Sequence, residues 1–383
     1  MRKQYIDVIR SRLRSGGWSR VLDAGTKVLG QMVPRPAGRP STGPILGTVI
    51  LSYACNYRCT FCELPQRFVR RRKEGWTEFD TAGWKGILRG FAALRTAGVG
   101  FTGGEPFLRK DCADLLEYSL GLGMVTHVNT NSHLLSDDLI DRLVGMGLDS
   151  VNVSLDGADS ATHDRLRGHR GSFERVTDRI AALARARDRA QAAGSRRHTR
   201  VSITSVLTPD NADQVKQMAD LAERLGADSI GFIPMHEYHD GDALEDVAPE
   251  RPWAAKMAQA VEDLQELKRT RDIVENSERY IGLFPRCFAG ERLPIKCHAP
   301  ETSMVVDAYG RVFACVPLSE VDRPIGRVAS DGLATFWKSD GYAAERRRLS
   351  GCRACYWNCH TEMNLLWERV PPPTSDPLGA RAP

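Results

Sequence analysis

The chain has 383 residues, 42% of them hydrophobic, ten cysteines and a net charge of +5. That length supports one large domain with a smaller one attached, and no apolar run reaches the span a membrane helix needs. The N-terminus lacks the order of a secretory signal, so a cytoplasmic protein is expected.

The charge is uneven. Residues 1–46 carry nine Lys/Arg against Asp7 and Asp23, a local net of +7 that leaves −2 for the rest. This segment reads as a basic helical extension ending in the Pro/Gly-rich linker 34–44. It could meet an anionic membrane surface at the periphery, or it is simply a solvated helix face. No nucleic-acid partner is expected.

From residue 47 short β-rich runs alternate with helical stretches. Strands are expected at 47–53, 98–104, 124–130, 149–155, 199–207 and 227–235. Helices are expected near 80–97, 110–122, 136–147, 172–193 and 211–225. Six such strands imply a parallel sheet with right-handed crossovers. A rolled, incomplete barrel and an open doubly wound sheet both satisfy the pattern. A helix near 252–273 follows, then a β-hairpin within 303–315, and a disordered tail over 370–383.

Nine of the ten cysteines fall in two groups, 55–62 and 287–359, which in a reducing compartment reads as metal ligation. Cys55, Cys59 and Cys62 lie in the loop after the first strand, where parallel α/β folds build their sites. Three thiolates there could hold three irons of a 4Fe-4S cluster and leave the fourth iron for a bidentate small molecule. A zinc site completed by a distant residue is the alternative, making the chain a non-catalytic zinc-binding protein. The sequence FTGGEP after the second strand favours the first reading, because paired glycines let backbone approach a ligand closely.

C-x3-C-x2-C with Phe61 before the last cysteine, followed by Gly103-Gly104-Glu105-Pro106, resembles the radical S-adenosylmethionine superfamily. The resemblance runs from about residue 47 to 235 and implies a partial (β/α)6 TIM-like barrel. It also implies S-adenosylmethionine on the unique iron, cleaved reductively to a 5′-deoxyadenosyl radical that abstracts a substrate hydrogen. An external one-electron reductant such as flavodoxin or ferredoxin is implied too. By the same resemblance Gly103, Gly104, Glu105 and Pro106 would cradle the methionyl amino group, and Phe61 would lie against the adenine. Asn131 occupies the place of the family's TNG motif, whose glycine is Ser132 here. Ser154 would contact ribose or carboxylate, with Asp156 and Arg167 as further contacts. From the residues alone Ser154 and Asp156 also read as a polar strand end, and Arg167 as a surface salt bridge.

Cys297, Gly310 and Cys315 reproduce the C-x(9–15)-G-x4-C signature of SPASM and twitch domains, which carry auxiliary iron–sulfur clusters. Cys352, Cys355 and Cys359 follow in a shortened spacing, so one auxiliary 4Fe-4S cluster is expected. Its expected ligands are Cys297, Cys315, Cys352 and Cys355, with Cys359 or Cys287 able to replace one of them. Cys112 stands alone and reads as a small buried hydrophobe; Cys112 and Cys287 are the weakest catalytic candidates. His236, Glu237, Tyr238, His239 and Asp240 follow the sixth strand and read as substrate contacts or a solvated polar loop.

The expected organisation is therefore a basic extension (1–46), a core barrel (47–240), a helical connector (241–296), a small SPASM/twitch-like cluster domain (297–369) and a tail. The expected function is radical abstraction from a small molecule or peptide, the auxiliary cluster assisting oxidation or bond formation. A radical epimerase or a sugar- or lipid-modifying enzyme stays open within that class.

Overall fold

The computed structural model describes residues 42–236 and 254–370. The basic N-terminal segment therefore lies outside the described residues up to residue 41, as does the tail from 371.

Six parallel strands form in chain order: β1 Leu46–Ser52, β2 Gly98–Gly103, β3 Val125–Thr130, β4 Ser150–Ser154, β5 Arg200–Leu207 and β6 Ser229–Pro234. Each pairs with its sequence neighbour, as short right-handed crossovers require. Strand order and crossovers match the partial barrel. Residues Val49, Phe101, Val128, Val151 and Val201 share one register row, all fully buried against the helices. The opposite face is polar and less filled. On β3, Val125, His127 and Asn129 are only partly buried, whereas Thr126, Val128 and Thr130 are buried. The Asn152 amide donates to Asn129 Oδ1 at 2.9 Å across that face.

The helices lie near the expected positions: α2 Thr81–Ala93, α3 Cys112–Gly121, α4 Asp137–Gly145, α6 Ser172–Ala192, α7 Val215–Arg224 and α8 Ala254–Thr270. Capping sets several starts. Asp80 accepts from Gly83 N at 2.7 Å and Ser136 from Leu139 N at 3.2 Å. Within the barrel region two helices were not expected: α1 Leu64–Lys73, directly after the cysteine loop, and α5 Ser160–Arg167.

The C-terminal hairpin does not stand apart from the barrel. Strand β7 Ser303–Asp307 pairs in parallel with β1, from Leu46↔Ser303 to Ile50↔Asp307. Strands β8 Arg311–Phe313 and β9 Gly326–Arg327 continue antiparallel, giving a nine-stranded sheet ordered 6-5-4-3-2-1-7-8-9. A buried polar knot ties the seam. Arg311 Nε pairs with Asp307 Oδ2 at 2.7 Å, and the Tyr53 hydroxyl donates to the same carboxylate at 3.0 Å. Among the described residues no helix is long and apolar enough to cross a membrane.

Candidate active site

The cysteine loop leaves β1 at its C-terminal end. Ser52 Oγ and Tyr53 N donate to the Glu78 carboxylate, which fixes the take-off of the loop. Cys55 Sγ accepts from Tyr57 N at 3.4 Å, and Cys62 N donates to Cys59 O at 3.2 Å, curling the loop on itself. Burial pushes the Cys62 thiol up to about 12 and raises Cys55 as well. Thiols so placed become thiolates only when a cation takes up their charge.

The loop after β2 lies against this one. Gly104 N donates to Ser52 O at 2.9 Å, and Glu105 N to Ala54 O at 2.8 Å. A Cβ on Gly104 would stand 2.1 Å from Ala54 O, and Gly103 has φ +129°. The glycines thus let two site loops share backbone contact. Pro106 starts the short 3-10 turn that follows.

Glu105 is fully buried and accepts from Thr130 Oγ1 (2.8 Å), Asn131 N (2.8 Å) and Phe107 N (3.1 Å). Burial outweighs these bonds and raises its carboxyl to about 7. Glu105 therefore clamps β2 to the end of β3 and aims Asn131. The Asn131 amide nitrogen donates to Asn56 Oδ1 at 2.8 Å and lies 4.0 Å from Cys55 Sγ. Ser132, where the family motif has glycine, takes the left-handed conformation with φ +59°.

Asp156 and Arg167 form a buried pair rather than a surface salt bridge. Arg167 Nε lies 2.5 Å from Asp156 Oδ2, with Arg167 8% and Asp156 0% exposed. The contact is misaligned for a hydrogen bond. The other carboxylate oxygen of Asp156 accepts from Val206 N at 2.7 Å, so β5 helps hold it. Arg167 Nη1 donates to Cys59 Sγ at 3.7 Å, and its guanidinium stands 5.6 Å from the Phe61 ring centroid. Ser154, paired in register with Thr204, is partly buried on the polar face of β4. Sequence reasoning missed three supporting residues: Thr130 and Asn56, named above, and His163, whose Nδ1 accepts from Asp156 N at 3.1 Å. Burial pushes His163 down to about 3, so it stays neutral as that acceptor. Only the adjacency of Thr130 to Asn131 offered a signal.

Among the described residues no three Cys, His, Asp or Glu side chains converge as the ligands of one metal ion do. The test of fit lies instead in what points at the sulfurs. A buried guanidinium and a carboxamide aimed at two of three clustered thiols suit an anionic iron–sulfur group, since such donors stabilise cluster sulfur.

In the C-terminal module Cys297 N donates to Cys352 O at 3.1 Å. After burial, which dominates, the thiol of Cys315 is raised further by Cys355, Cys297 and Cys352, and that of Cys355 by Cys297, Cys352 and Cys359. Cys355 thus has Cys297, Cys315, Cys352 and Cys359 around it. Cys287 shows burial alone, with no such neighbour acting on it. Cys112 is fully buried in the core. His236, past the end of β6, is half-buried, and its Nε2 accepts from Tyr356 N at 3.0 Å, within the cysteine loop 352–359. Glu237, Tyr238, His239 and Asp240 lie outside the described residues.

Comparison with known proteins agrees with this architecture. Residues 49–222 match the radical SAM superfamily, and residues 297–360 match SPASM, an iron-sulfur cluster-binding domain. The chain is 28% identical over 279 residues to the PqqA peptide cyclase of Xanthomonas euvesicatoria pv. vesicatoria (strain 85-10), covering 68% of this chain and 69% of that protein. The PqqA peptide cyclase of Xanthomonas campestris pv. campestris (strain B100) is 27% identical over the same length. The fold resembles Streptococcus suis SuiB bound to its precursor peptide SuiA, with a TM-score of 0.61 at 18% identity, over 93% of this chain and 78% of that one. A six-stranded radical barrel with three cysteines after its first strand defines the class: a radical S-adenosylmethionine enzyme. More narrowly, the chain belongs to the SPASM-bearing members of that superfamily, whose cofactors are 4Fe-4S clusters and S-adenosylmethionine.

Proposed function

We propose that this enzyme modifies a peptide, removing hydrogen from it to form a new bond or an unsaturated product. The observation that carries the reading is the His236–Tyr356 bond. It fastens the loop between Cys355 and Cys359 to the end of β6, at the mouth of the barrel. An electron leaving a substrate radical there has an acceptor close by. The PqqA peptide cyclases at 27–28% identity point to a peptide as substrate.

In this reading Cys55, Cys59 and Cys62 hold the catalytic cluster, and Cys297, Cys315, Cys352 and Cys355 the auxiliary one. Cys359 stands by as a substitute. The bound cluster and S-adenosylmethionine supply the 5′-deoxyadenosyl radical. The chain's own residues orient and shield. Arg167 offsets thiolate charge at Cys59, Asn131 sets the wall beside Cys55, and Glu105 locks both site loops together. In this reading Phe61 would lie against the adenine and Ser154 would contact the ribose or carboxylate. The polar barrel face offers Asn129 and Asn152 to substrate amides. An external one-electron protein reductant is required, and the basic segment 1–46 docks on an anionic membrane surface; salt-sensitive sedimentation with anionic vesicles, lost on deleting 1–33, checks the latter.

The test is reconstitution with short peptides encoded beside the gene, under dithionite. A product lighter by two hydrogens, formed with 5′-deoxyadenosine, is expected. A product of unchanged mass, or one formed only from a sugar or lipid, would overturn the reading.

A further inference from the structure

We propose that His127, in the barrel lumen, is the base that takes the proton lost when the substrate radical is oxidised, with Asn129 positioning a substrate carbonyl beside it. The inference rests on the peptide reading above and deepens it. Loss of two hydrogens from a peptide has three parts. One hydrogen atom leaves a carbon for the 5′-deoxyadenosyl radical and completes its methyl group. One electron then leaves the substrate radical for the oxidised auxiliary 4Fe-4S cluster. One proton remains, and it needs an acceptor as the new bond or double bond forms.

The sheet brings one imidazole to that place. Val128, next along β3, is fully buried against the helices, so His127 faces the lumen. Its cross-strand neighbour is Gly100. A Cβ there would stand 2.4 Å from His127 Nε2, so the ring lies across β2 in space that a glycine leaves open. Among the described residues the ring nitrogens make no hydrogen bond, and the side chain stays partly exposed. A histidine with a purely structural role is ordinarily satisfied by its neighbours. His127 lies four residues before Asn131, which reaches Cys55, so about 13 Å of strand separates the two. That leaves room for a substrate between the catalytic loop and the ring.

The surroundings suit a proton acceptor. Burial lowers the pKa of His127 against the pull of Asp149 and Glu275, so the ring is neutral at neutral pH. Asp149 accepts from Thr126 N at 2.9 Å, and Glu275 from Ser229 Oγ at 2.9 Å. Arg200, in the same register row through Ser150, donates to Ser202 Oγ at 3.1 Å. A neutral imidazole offers a lone pair, and the two carboxylates stabilise the imidazolium that forms. Beside it a directed chain of side chains sets the ligand. Ser150 Oγ donates to Asn152 Oδ1 at 2.8 Å, and Asn152 Nδ2 to Asn129 Oδ1 at 2.9 Å. The Asn129 amide nitrogen is left as the donor end of that chain, on the same face as His127. A peptide carbonyl held there is polarised, which acidifies the hydrogen on the adjoining carbon or nitrogen.

The test uses the reconstituted holoenzyme, dithionite and the neighbouring-gene peptide that wild type converts. His127→Gln should still form 5′-deoxyadenosine with hydrogen taken from the peptide, while the product lighter by two hydrogens falls about a hundredfold. In heavy water the peptide should return instead with one carbon-bound deuterium. His127→Ala should behave alike, and added imidazole should restore its product while 5′-deoxyadenosine formation stays constant. Diethyl pyrocarbonate, which acylates neutral imidazole, gives a readout without turnover. His127 should be labelled in the holoenzyme and protected by the peptide, while His198 at the surface stays reactive. Product at the wild-type rate from His127→Gln, an equal loss of product and 5′-deoxyadenosine, no rescue by imidazole, or labelling indifferent to the peptide each overturns the assignment. If one variant loses its fold by circular dichroism, the other decides. Wild type that makes no lighter product from any such peptide counts instead against the peptide reading, and the role of His127 is withdrawn with it.

Discussion

At the level of single residues, the site is organised around buried charge. Arg167 and Asp156 neutralise each other, and removing one alone leaves the charge of the other buried without its counter-ion. Arg167→Met should therefore cost about 3–5 kcal/mol in urea unfolding. Asp156→Asn added to it should restore much of that stability, since the bond from Val206 N survives, but not S-adenosylmethionine cleavage, because Cys59 still lacks its donor. Restored cleavage in the double variant would show Arg167 to be structural only. Glu105 makes a pH prediction with an unusual sign. Its carboxyl titrates near 7 in the fold and near the ordinary carboxylate value when unfolded. Below that ordinary value both states are protonated and Glu105 contributes nothing. As pH rises from about 4.5 to 7 only the unfolded state ionises freely, so the cluster-free protein should lose up to about 3 kcal/mol. Unfolding at pH 5 and 7.5 checks this: the wild type should lose stability relative to Glu105→Gln over that interval. The motif residues were legible because their types are rare together. His163, Thr130 and Asn56 were not, since a polar side chain that only supports another leaves no distinctive spacing.

Among the elements, the six strands and the main helices could be read from alternation and from capping residues such as Asp80 and Ser136. Helix α1 could not. Its sequence, LPQRFVRRRK, offers only Leu64 and Phe68 as an apolar stripe, and the rest of its docking is through arginines. Arg67 is 2% exposed and donates to the carbonyls of Ser319 and Glu320 at 2.6 Å, and Arg71 pairs with Asp322. Those partners lie some 250 positions along the chain, beyond any local pattern. Helix α5 was obscured by its brevity: Asp159 starts it, and Gly168 ends it in the left-handed conformation with φ +58°. A Cβ on Gly168 would come within 2.1 Å of Arg58 O, in the cysteine loop. Gly168→Ala should thus destabilise by at least about 1–2 kcal/mol. It should also lower iron retention after reconstitution, as the turn is pushed off the loop. Full iron with unaltered melting would show that the loop does not rely on this turn.

For the whole molecule, two cysteine groups sit on one continuous sheet. The reconstituted protein should hold about eight irons. Replacing Cys55, Cys59 and Cys62 by Ala should leave about four and abolish 5′-deoxyadenosine formation. Replacing Cys297 and Cys315 should also leave about four, with cleavage kept and peptide turnover lost. Iron near twelve would bring Cys287 into use, against its isolation from the other thiols. The sequence suggested a barrel followed by a small separate module. It could not show that β7 extends the barrel's own sheet, because strand pairing across such a distance leaves no mark in local composition.

That pairing has a consequence for how the protein is made. Strand β1 is the first core strand to leave the ribosome, but one of its edges is completed only by β7. The Tyr53–Asp307 bond at the seam joins residues 254 positions apart. Contacts so distant in sequence form late. Until they do, the nascent barrel carries an open edge strand beside the very loop that must receive iron. Cluster delivery before the last quarter of the chain is translated would meet an unfinished site, so maturation of this enzyme is expected to be post-translational.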